Sequence, residues 1–179
     1  MADIFYSYYQ SPIGKLLMLA ENDMLTNLDL ELEQTAPNPK WIENNALPLF
    51  IQIKQALDRY FNGEKETFST IPLAPKGTDF QQRIWQALRQ ITYGKTASYS
   101  GLAELINNPK AVRAVGGAVG SNPISIIIPC HRVLGKSCAI TGFGGGLPAK
   151  RYLLNLEGIP FVDKGVEYVK QKLLKKYRT

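Results

Sequence analysis

Histidine and cysteine are scarce in this sequence, and it contains no long apolar run. Of 179 residues, only His131 is a histidine, and only Cys130 and Cys138 are cysteines. Because a Cys/His zinc site needs three or four such ligands unless carboxylates help, we expect no metal. No stretch approaches the ~20 apolar residues that span a bilayer, and "MADIFYSYYQ" lacks the basic and apolar regions of a signal peptide. The sequence therefore predicts a cytoplasmic protein with reduced thiols and no membrane segment.

Positive charge is concentrated in the second half of the chain. Residues 1–75 carry 5 Lys and Arg against 10 Asp and Glu, whereas residues 76–179 carry 16 against 5. The net charges are thus −5 and +11, which together give the overall +6. The basic tail, residues 164–179, also fits a solvated surface, but residues 76–163 keep a net charge of +6 without it. A strongly basic half indicates a polyanionic partner, so we predict that this half binds nucleic acid.

The first half has the pattern of a small sheet with one helix. Turn-forming residues separate the segments "IFYSYYQ", "KLLMLAE" and "MLTNLDLEL", which are rich in aliphatic and aromatic residues. Leu49, Ile53 and Leu57 recur at helical spacing, and Gly63 can end that helix. The stretch "IPLAPKGTDF" holds two prolines and a glycine where the charge balance changes sign. We therefore place a domain boundary there, between a scaffold domain (1–75) and a second domain (76–179).

The second half has the outline of a helix-turn-helix. Thr78 and Gln81 have the spacing of a capping box at the start of one helix, and a short helix begins near Ser100. Asn108 can cap a further helix whose first residue is Pro109. Two short helices joined by a turn of about three residues form the helix-turn-helix outline, although many other helical pairs look alike.

The helix after Pro109 has two distinct faces. Val112, Val115 and Val119 are spaced to face the core, while Arg113 lies with glycines on another face. A glycine inside a helix costs roughly 1 kcal/mol relative to alanine, so this helix gives up stability for small side chains. Tight helix packing also uses small residues, but together with the basic charge we favour close contact with DNA.

The segment "SNPISIIIPCHRV", residues 121 to 133, leads a buried apolar run into a cysteine. We interpret 124–128 as a strand that Pro129 ends, which delivers Cys130 beside His131 and Arg132. A free thiol is only a few per cent thiolate at neutral pH, and a neighbouring histidine or cation makes it more reactive. A free cysteine is also often a small buried hydrophobe, and that interpretation suits Cys138.

His131 needs both a route to the thiol and a partner that orients it. Because successive side chains of an extended segment point to opposite faces, His131 would reach Cys130 only through a water or a bend. Glu157, in a later helix, is a candidate to orient the imidazole. That helix opens at Pro148, and Gly158 closes it.

The loop "TGFGGG", residues 141–146, packs four glycines and a phenylalanine together. A glycine-rich loop can cradle phosphates, but a P-loop would continue with Lys and Ser or Thr rather than Leu147 and Pro148. A tight wall against a flat ligand fits this loop better.

Several of these strings occur together in the order found in one known family. "GTDFQQRIWQAL", "GKTASYSGLA", "NPKAVRAVGGAVGSNPISIIIPCHRVLG" and "GFGGGLPAKRYLLNLEG" closely resemble the O6-alkylguanine-DNA alkyltransferases from about residue 77 to 158. The "PCHRV" core with "RAVGGA" upstream is highly specific, whereas the first 70 residues resemble the family only loosely. The resemblance implies an α+β fold. It has a small N-terminal antiparallel sheet with a helix, ribonuclease H-like, and a C-terminal, mostly helical winged helix-turn-helix domain.

The resemblance implies a repair reaction on double-stranded DNA. The alkyl group of O6-alkylguanine, and of O4-alkylthymine, would move irreversibly to a protein cysteine after the base is flipped out of the duplex. No cofactor or metal takes part, and each molecule reacts once because nothing removes the alkyl group from the thioether. A cytoplasmic monomer acting on chromosomal DNA is implied, with cooperative binding along DNA left open.

The resemblance also implies a role for each matching residue. Cys130 would accept the alkyl group, His131 would act through water as its base, and Glu157 would hold the imidazole. By role, the implied set is catalytic Cys130, His131, Glu157, Tyr99 and Asn122; DNA-binding Arg113, Tyr99, Ser100, Lys110 and Gly117; and base-pocket Pro129, Val133, Phe143, Gly144 and Gly145.

Three of these residues would handle the DNA itself. Arg113 would enter the duplex and fill the space left by the extruded base. Tyr99 would push the phosphate and help neutralise the departing guanine, and Asn122 would be the hinge between the recognition helix and the active-site segment. Family members place this helix in the minor groove, unlike most helix-turn-helix proteins. Phe143 departs from the family, since many members have tyrosine there; it keeps an aromatic wall but lacks the hydroxyl.

Three other functions fit parts of the sequence. A non-catalytic sensor of alkylated bases would flip and hold the base without transfer, but such proteins lack the acceptor cysteine. A winged-helix regulator would explain Arg113 and leave Cys130 and His131 unused. A redox sensor would join Cys130 to Cys138 in a reversible disulfide. Alkylation of the thiol by a guanine derivative distinguishes the transferase from all three.

Overall fold

The computed structural model describes residues 2–31, 36–143 and 146–163. The chain divides into two compact units. The first holds the residues up to Lys76 together with Pro123–Ile127, and the second holds Gly77–Asn122 and the residues from Ile128 onward. None of the helices in these described ranges is long and apolar enough to cross a membrane.

The first unit is built on a four-stranded sheet. The strands β1 (Ile4–Ser11), β2 (Gly14–Glu21) and β3 (Met24–Leu30) pair antiparallel in succession. They form where the sequence predicts strands. A short strand, β4 (Ile42–Glu43), adds to β1 in parallel, which gives the order β3-β2-β1-β4.

The core of this unit follows from the alternation of side chains along β2. Leu16, Met18 and Ala20 are fully buried, as a period of two requires for a sheet with one covered face. The helix α1 (Pro48–Phe61) contributes fully buried apolar side chains from one of its faces, among them Ile53.

The segment Pro123–Ile127 belongs to the first unit but is not a strand. Leu28 donates its N–H to the Pro123 carbonyl at 2.9 Å and accepts from the Ser125 N–H at 2.8 Å. These bonds make a single bridge beside β3. The predicted strand over 124–128 is therefore wrong. The backbone turns after the bridge, with Ile126 at φ +71°, a left-handed conformation that a strand cannot contain.

The second unit is mainly helical. Among its described residues, the α-helices are α2 (Asp79–Arg89), α3 (Tyr99–Leu105), α4 (Val112–Gly120) and α5 (Leu147–Leu156). The predicted capping box of α2 is present, with the Thr78 side chain and Gln81 bonded reciprocally.

The turn between α3 and α4 is longer than predicted. The helix α4 begins at Val112, with Ala111 rather than Asn108 as its N-cap. The Ala111 N–H donates to the Asn108 carbonyl at 3.0 Å, which closes a separate turn before the helix begins. Val112 is consequently 38% exposed and does not face the core as predicted, whereas Val115 is fully buried.

Candidate active site

Cys130, His131 and Arg132 form one turn of 3₁₀ helix, so the predicted extended geometry at the cysteine is wrong. The turn follows Pro129, and the Cys130 N–H donates to the Ile128 carbonyl at 2.8 Å. All three side chains are buried, and Cys130 keeps 8% of its surface exposed. A tight turn removes the alternation expected of a strand, so the bend that His131 needs is built into the backbone.

The end of this turn is fastened to the strand that precedes Tyr99. The short strands β5 (Ala97–Ser98) and β6 (Val133–Leu134) pair in parallel, with Ala97 opposite Val133. Tyr99 is the first residue of α3 and follows β5 directly. The strand pair therefore holds the start of α3 beside the segment that leaves Cys130.

His131 and Glu157 form a fully buried pair. Nε2 of His131 lies 2.5 Å from Oε2 of Glu157, and both side chains have no exposed surface. Since the carboxylate only accepts, Nε2 carries the hydrogen and the lone pair of the neutral imidazole is on Nδ1. Nδ1 is buried and has no hydrogen-bond partner among the described residues. That arrangement leaves one atom of the ring able to take a proton.

The charges around this pair set its protonation state. Burial lowers the pKa of His131, and the positive charges of Arg132 and Lys150 act in the same direction, against Glu157. Burial also opposes ionisation of Glu157, but its bonds to His131 and Arg132 outweigh that and lower its pKa to about 2. At neutral pH the pair is therefore a carboxylate and an uncharged imidazole.

Lys150 is a functional candidate that the sequence analysis missed. Its ammonium is buried and donates to the Val133 carbonyl at 2.7 Å and to the Thr141 carbonyl at 3.3 Å. Burial lowers its pKa to about 8, and the negative charge of Cys130 opposes that decrease. One signal was available: Lys150 stands three residues after Leu147 and four before Leu154, within the apolar stripe of α5.

Tyr99 and Asn122 are both fixed by hydrogen bonds. The Tyr99 hydroxyl lies 3.0 Å from the Thr141 hydroxyl, and the Asn122 side-chain amide donates to the Ile128 carbonyl at 2.8 Å. Asn122, two residues after the end of α4, thus ties this helix end to the segment before Cys130. Thr141 links Tyr99 to Lys150, since its hydroxyl contacts one and its carbonyl the other.

The predicted DNA-binding residues lie on the surface of the second unit. Arg113 and Gly117 are exposed on α4, and a Cβ added at Gly117 would meet no atom within 4 Å. Ser100 and Lys110 are exposed as well, whereas Tyr99 is half-buried. The helix therefore presents an exposed face that holds one cation, Arg113, beside a residue without a side chain, Gly117.

Three of the predicted base-pocket residues are buried, and two of them flank the 3₁₀ turn that holds the thiol. Pro129 precedes Cys130, and Val133 follows the 3₁₀ turn and pairs with Lys150. Phe143 is buried as well. Gly144 and Gly145 lie outside the described residues, as does the basic tail from residue 164 onward. The two thiols differ, since Cys130 is buried and Cys138 is exposed.

Two family models match the chain. The model described as 6-O-methylguanine DNA methyltransferase, ribonuclease-like domain, matches residues 4–75, and the DNA binding domain of the same name matches residues 79–159. Together with the architecture above, these matches confirm the predicted α+β class.

Relatives of known name match most of the chain. A methylated-DNA–protein-cysteine methyltransferase of Haemophilus influenzae is 62% identical over 177 residues, 99% of both proteins. The constitutive enzyme of that name in Bacillus subtilis is 42% identical over 164 residues, 89% of this chain and 99% of its own. A crystal structure of Mycobacterium tuberculosis OGT in complex with DNA superposes with a TM-score of 0.78 at 44% identity. It covers 86% of this chain and 93% of that one.

Proposed function

The chain belongs to the 6-O-methylguanine DNA methyltransferase family, and from that premise we propose that Cys130 is the residue that accepts the alkyl group. The protein binds DNA and repairs it by transferring the alkyl group of O6-methylguanine to a protein cysteine. The sensor, regulator and redox-sensor alternatives are thereby set aside. One observation carries the assignment of Cys130: it shares a 3₁₀ turn with His131, whose Nδ1 is unpartnered among the described residues and whose Nε2 is held by Glu157.

The proposed proton transfer starts at the thiol. The Cys130 proton passes to Nδ1 of His131, directly or through one water, and Glu157 stabilises the imidazolium that forms. The ammonium of Lys150 attracts the resulting thiolate. The group that activates the thiol is therefore a base that is uncharged at neutral pH and is held in one orientation.

The proposed transfer step then balances in atoms and charge. The thiolate sulfur forms a bond to the alkyl carbon while the bond from that carbon to O6 breaks, with the electron pair left on the base. A proton supplied through Tyr99 neutralises the departing guanine, and the proton held by His131 passes through solvent to replace the one that Tyr99 gave up. The sum is a thiol and an O6-alkylguanine converted into a thioether and guanine, and nothing regenerates the thiol. Each molecule is consumed by one reaction, without a cofactor or metal.

The substrate must leave the base stack to reach a buried sulfur. Flipping a nucleotide out of the duplex costs a few kcal/mol, and less for a lesion that pairs badly. We propose that α4 lies in the minor groove, that Arg113 fills the space left by the base, and that Gly117 allows close approach. Their exposure on one face of α4 supports this. Ser100 and Lys110 would contact the phosphates.

The proposed base pocket joins backbone groups to apolar walls. Pro129 and Phe143 would enclose the flipped base, with Gly144 and Gly145 in the adjoining loop, and the main chain at Val133 would read the guanine edge. Lys150 donates to the Val133 carbonyl, which retains a second lone pair for the base. A chain of hydrogen bonds runs from Tyr99 through Thr141 and Lys150 to Val133. We propose that these four residues position one pocket.

Several finer predictions belong to the same proposal. Asn122 would keep the active-site segment aligned with α4 through its bond to the Ile128 carbonyl. O4-alkylthymine would be a second substrate, and the protein would act as a cytoplasmic monomer on double-stranded chromosomal DNA. If the protein binds an isolated lesion and a lesion among closely spaced lesions at the same rate, its binding along DNA is not cooperative.

Intact-protein mass spectrometry tests the central proposal. After mixing with a duplex that carries one O6-methylguanine, the protein should gain about 14 Da, the mass of one methyl group on sulfur. The gain should saturate at one per chain, and peptide mapping should find it on Cys130. A methyl group on any other residue would overturn the assignment of Cys130.

We expect Arg113→Ala to slow transfer from a duplex by roughly 10- to 100-fold, because flipping then lacks the side chain that replaces the base. Reaction with the free base O6-methylguanine should stay near the wild-type rate, since no flipping is needed. Single-turnover rates on both substrates measure this. An equal loss on both would contradict the role given to Arg113.

The matched control for Arg113 is Lys110→Ala. If Lys110 contacts a phosphate, its loss should weaken binding to all sequences and reduce the salt dependence by about one unit of slope. At saturating DNA its transfer rate should be close to wild type, unlike that of the Arg113 variant.

We expect Gly117→Ala to stabilise the protein and weaken its hold on DNA. An alanine inside a helix is favoured over glycine by roughly 1 kcal/mol, and the space at Gly117 is open in the protein alone. The added methyl group would keep the DNA backbone from close contact. Urea unfolding and duplex affinity measure the two effects, and unchanged affinity would remove Gly117 from the interface.

A further inference from the structure

Both oxygens of the Glu157 carboxylate are hydrogen-bonded, and only one of them bonds to His131. Oε2 meets His131, as described above. Oε1 accepts from Nε of Arg132 at 2.8 Å and from the Gly94 N–H at 3.1 Å. The carboxylate therefore cannot rotate without breaking bonds on its other oxygen.

Arg132 is itself fixed by three different contacts. Besides Nε on Glu157, its Nη1 donates to the Ile91 carbonyl at 2.6 Å, and its guanidinium lies 5.8 Å from the centre of the Tyr93 ring. The side chain is buried, although arginine is almost never fully buried unless it is paired. The planar guanidinium has several N–H donors in fixed directions and can therefore bond to Glu157 and Ile91 at the same time. A lysine ammonium cannot do so in the same geometry.

The charge balance at His131 depends on Arg132. Three charged groups act on the imidazole: Glu157 at the end of α5, Lys150 within α5, and Arg132 beside it in the 3₁₀ turn. A buried carboxylate without a cation would draw a proton onto the histidine, because an unpaired buried charge is costly. With Arg132 in place, the negative charge of Glu157 is already balanced by the guanidinium, so the imidazole can remain neutral.

We infer that Arg132 is a positioning residue for the transfer: it holds Glu157 in place and supplies the cation that lets His131 stay neutral, with Nδ1 open to accept the thiol proton. This inference rests on the proposed function of Cys130 and His131 and extends it to a fourth group, the guanidinium of Arg132. Activation of the acceptor would then depend on four groups, each of which positions or activates the next: Arg132, Glu157, His131 and Cys130.

The single histidine of the chain makes a direct test possible. Ring nitrogen NMR of the full-length protein reports His131 alone. In the wild type we expect the neutral form with hydrogen on Nε2 at neutral pH. In Arg132→Met the imidazole should take up a proton at a higher pH than in the wild type. The transfer rate should fall about 10-fold near pH 6 and recover as the pH rises.

Two further variants separate charge from structure. Arg151→Met removes an arginine from an exposed pair with Asp163 and should change neither the titration nor the rate. Arg132→Lys keeps the charge and should shift the titration less than Arg132→Met does. A rate loss in Arg132→Met that is equal at every pH, without any shift of the His131 titration, would mean that Arg132 only fastens the loop at Ile91, and would overturn the inference.

The test remains decisive where the Arg132 variants do not fold. A wild-type His131 that is protonated at neutral pH would overturn the inference without any variant. Failure of the underlying proposal has a different signature: methyl transfer to a residue other than Cys130 in the wild type would remove the premise, while the NMR titration would still report the charge balance.

Discussion

Cys130→Ala should abolish alkyl transfer, with a loss of at least about 10⁴-fold, because removal of a nucleophile leaves only binding. DNA affinity should be largely unchanged, since the residues proposed to contact DNA lie on α4 and near α3, and Cys130 is buried. An alanine also fits the space of a thiol, so the loss is chemical rather than structural. The mass assay and a duplex-binding assay on the same preparation measure both quantities.

Cys138→Ala is the matched control for that variant. Cys138 is the second cysteine of the chain and is exposed in the 3₁₀ turn Lys136–Cys138. Its removal should leave the gain of one methyl group unchanged. Methylation of the Cys130→Ala protein would show that another residue accepts the group. Loss of methyl transfer in Cys138→Ala would instead favour the alternative in which the two cysteines form a disulfide.

Glu157→Ala should destabilise the protein by about 3–5 kcal/mol, because removing one partner of a buried ion pair leaves an uncompensated charge. Here it would leave both Arg132 and His131 without their carboxylate. The free energy of urea unfolding measures the loss. Asp163→Ala, which breaks the exposed pair with Arg151, should change stability by less than about 1 kcal/mol.

Glu157→Gln separates the chemical role from the structural one. The amide oxygen can still accept from Arg132, but the amide nitrogen donates and would face Nε2 of His131. The hydrogen of the neutral ring would then move to Nδ1, which could no longer accept the thiol proton. We expect transfer to slow by roughly 10²- to 10⁴-fold. A rate near wild type would show that His131 does not act as the base.

The acid stability of the protein should change in the same variants. The pKa of Glu157 is lowered to about 2 from 4.5, so the folded state holds fewer protons than the unfolded state between those values. Glu157 therefore stabilises the fold above about pH 4.5, and this contribution is lost as the pH falls towards 2. Glu157→Gln should show a weaker loss of stability over that range, and an identical acid profile would contradict the lowered pKa.

The sequence alone determined the local secondary-structure elements and the candidate residues Cys130 and His131. The strands β1 to β3, the capping box of α2 and the opening of α5 near Pro148 all follow from periodicity and end signals that involve neighbouring residues. The adjacent Cys130 and His131 were also indicated there as candidates for the reaction. Such features are readable because they depend on residues a few positions apart.

Tertiary structure decided which charges meet and how the backbone bends at the site. His131 and Glu157 are 26 positions apart and Arg132 bonds to Ile91 across 41, so no local pattern shows that one carboxylate serves two partners. The burial of Lys150 and the turn at Ile126 were equally invisible, and the run at 124–128 was misread as a strand. The physical reason is that burial and charge compensation depend on distant neighbours, whereas propensity and periodicity report only the chain nearby.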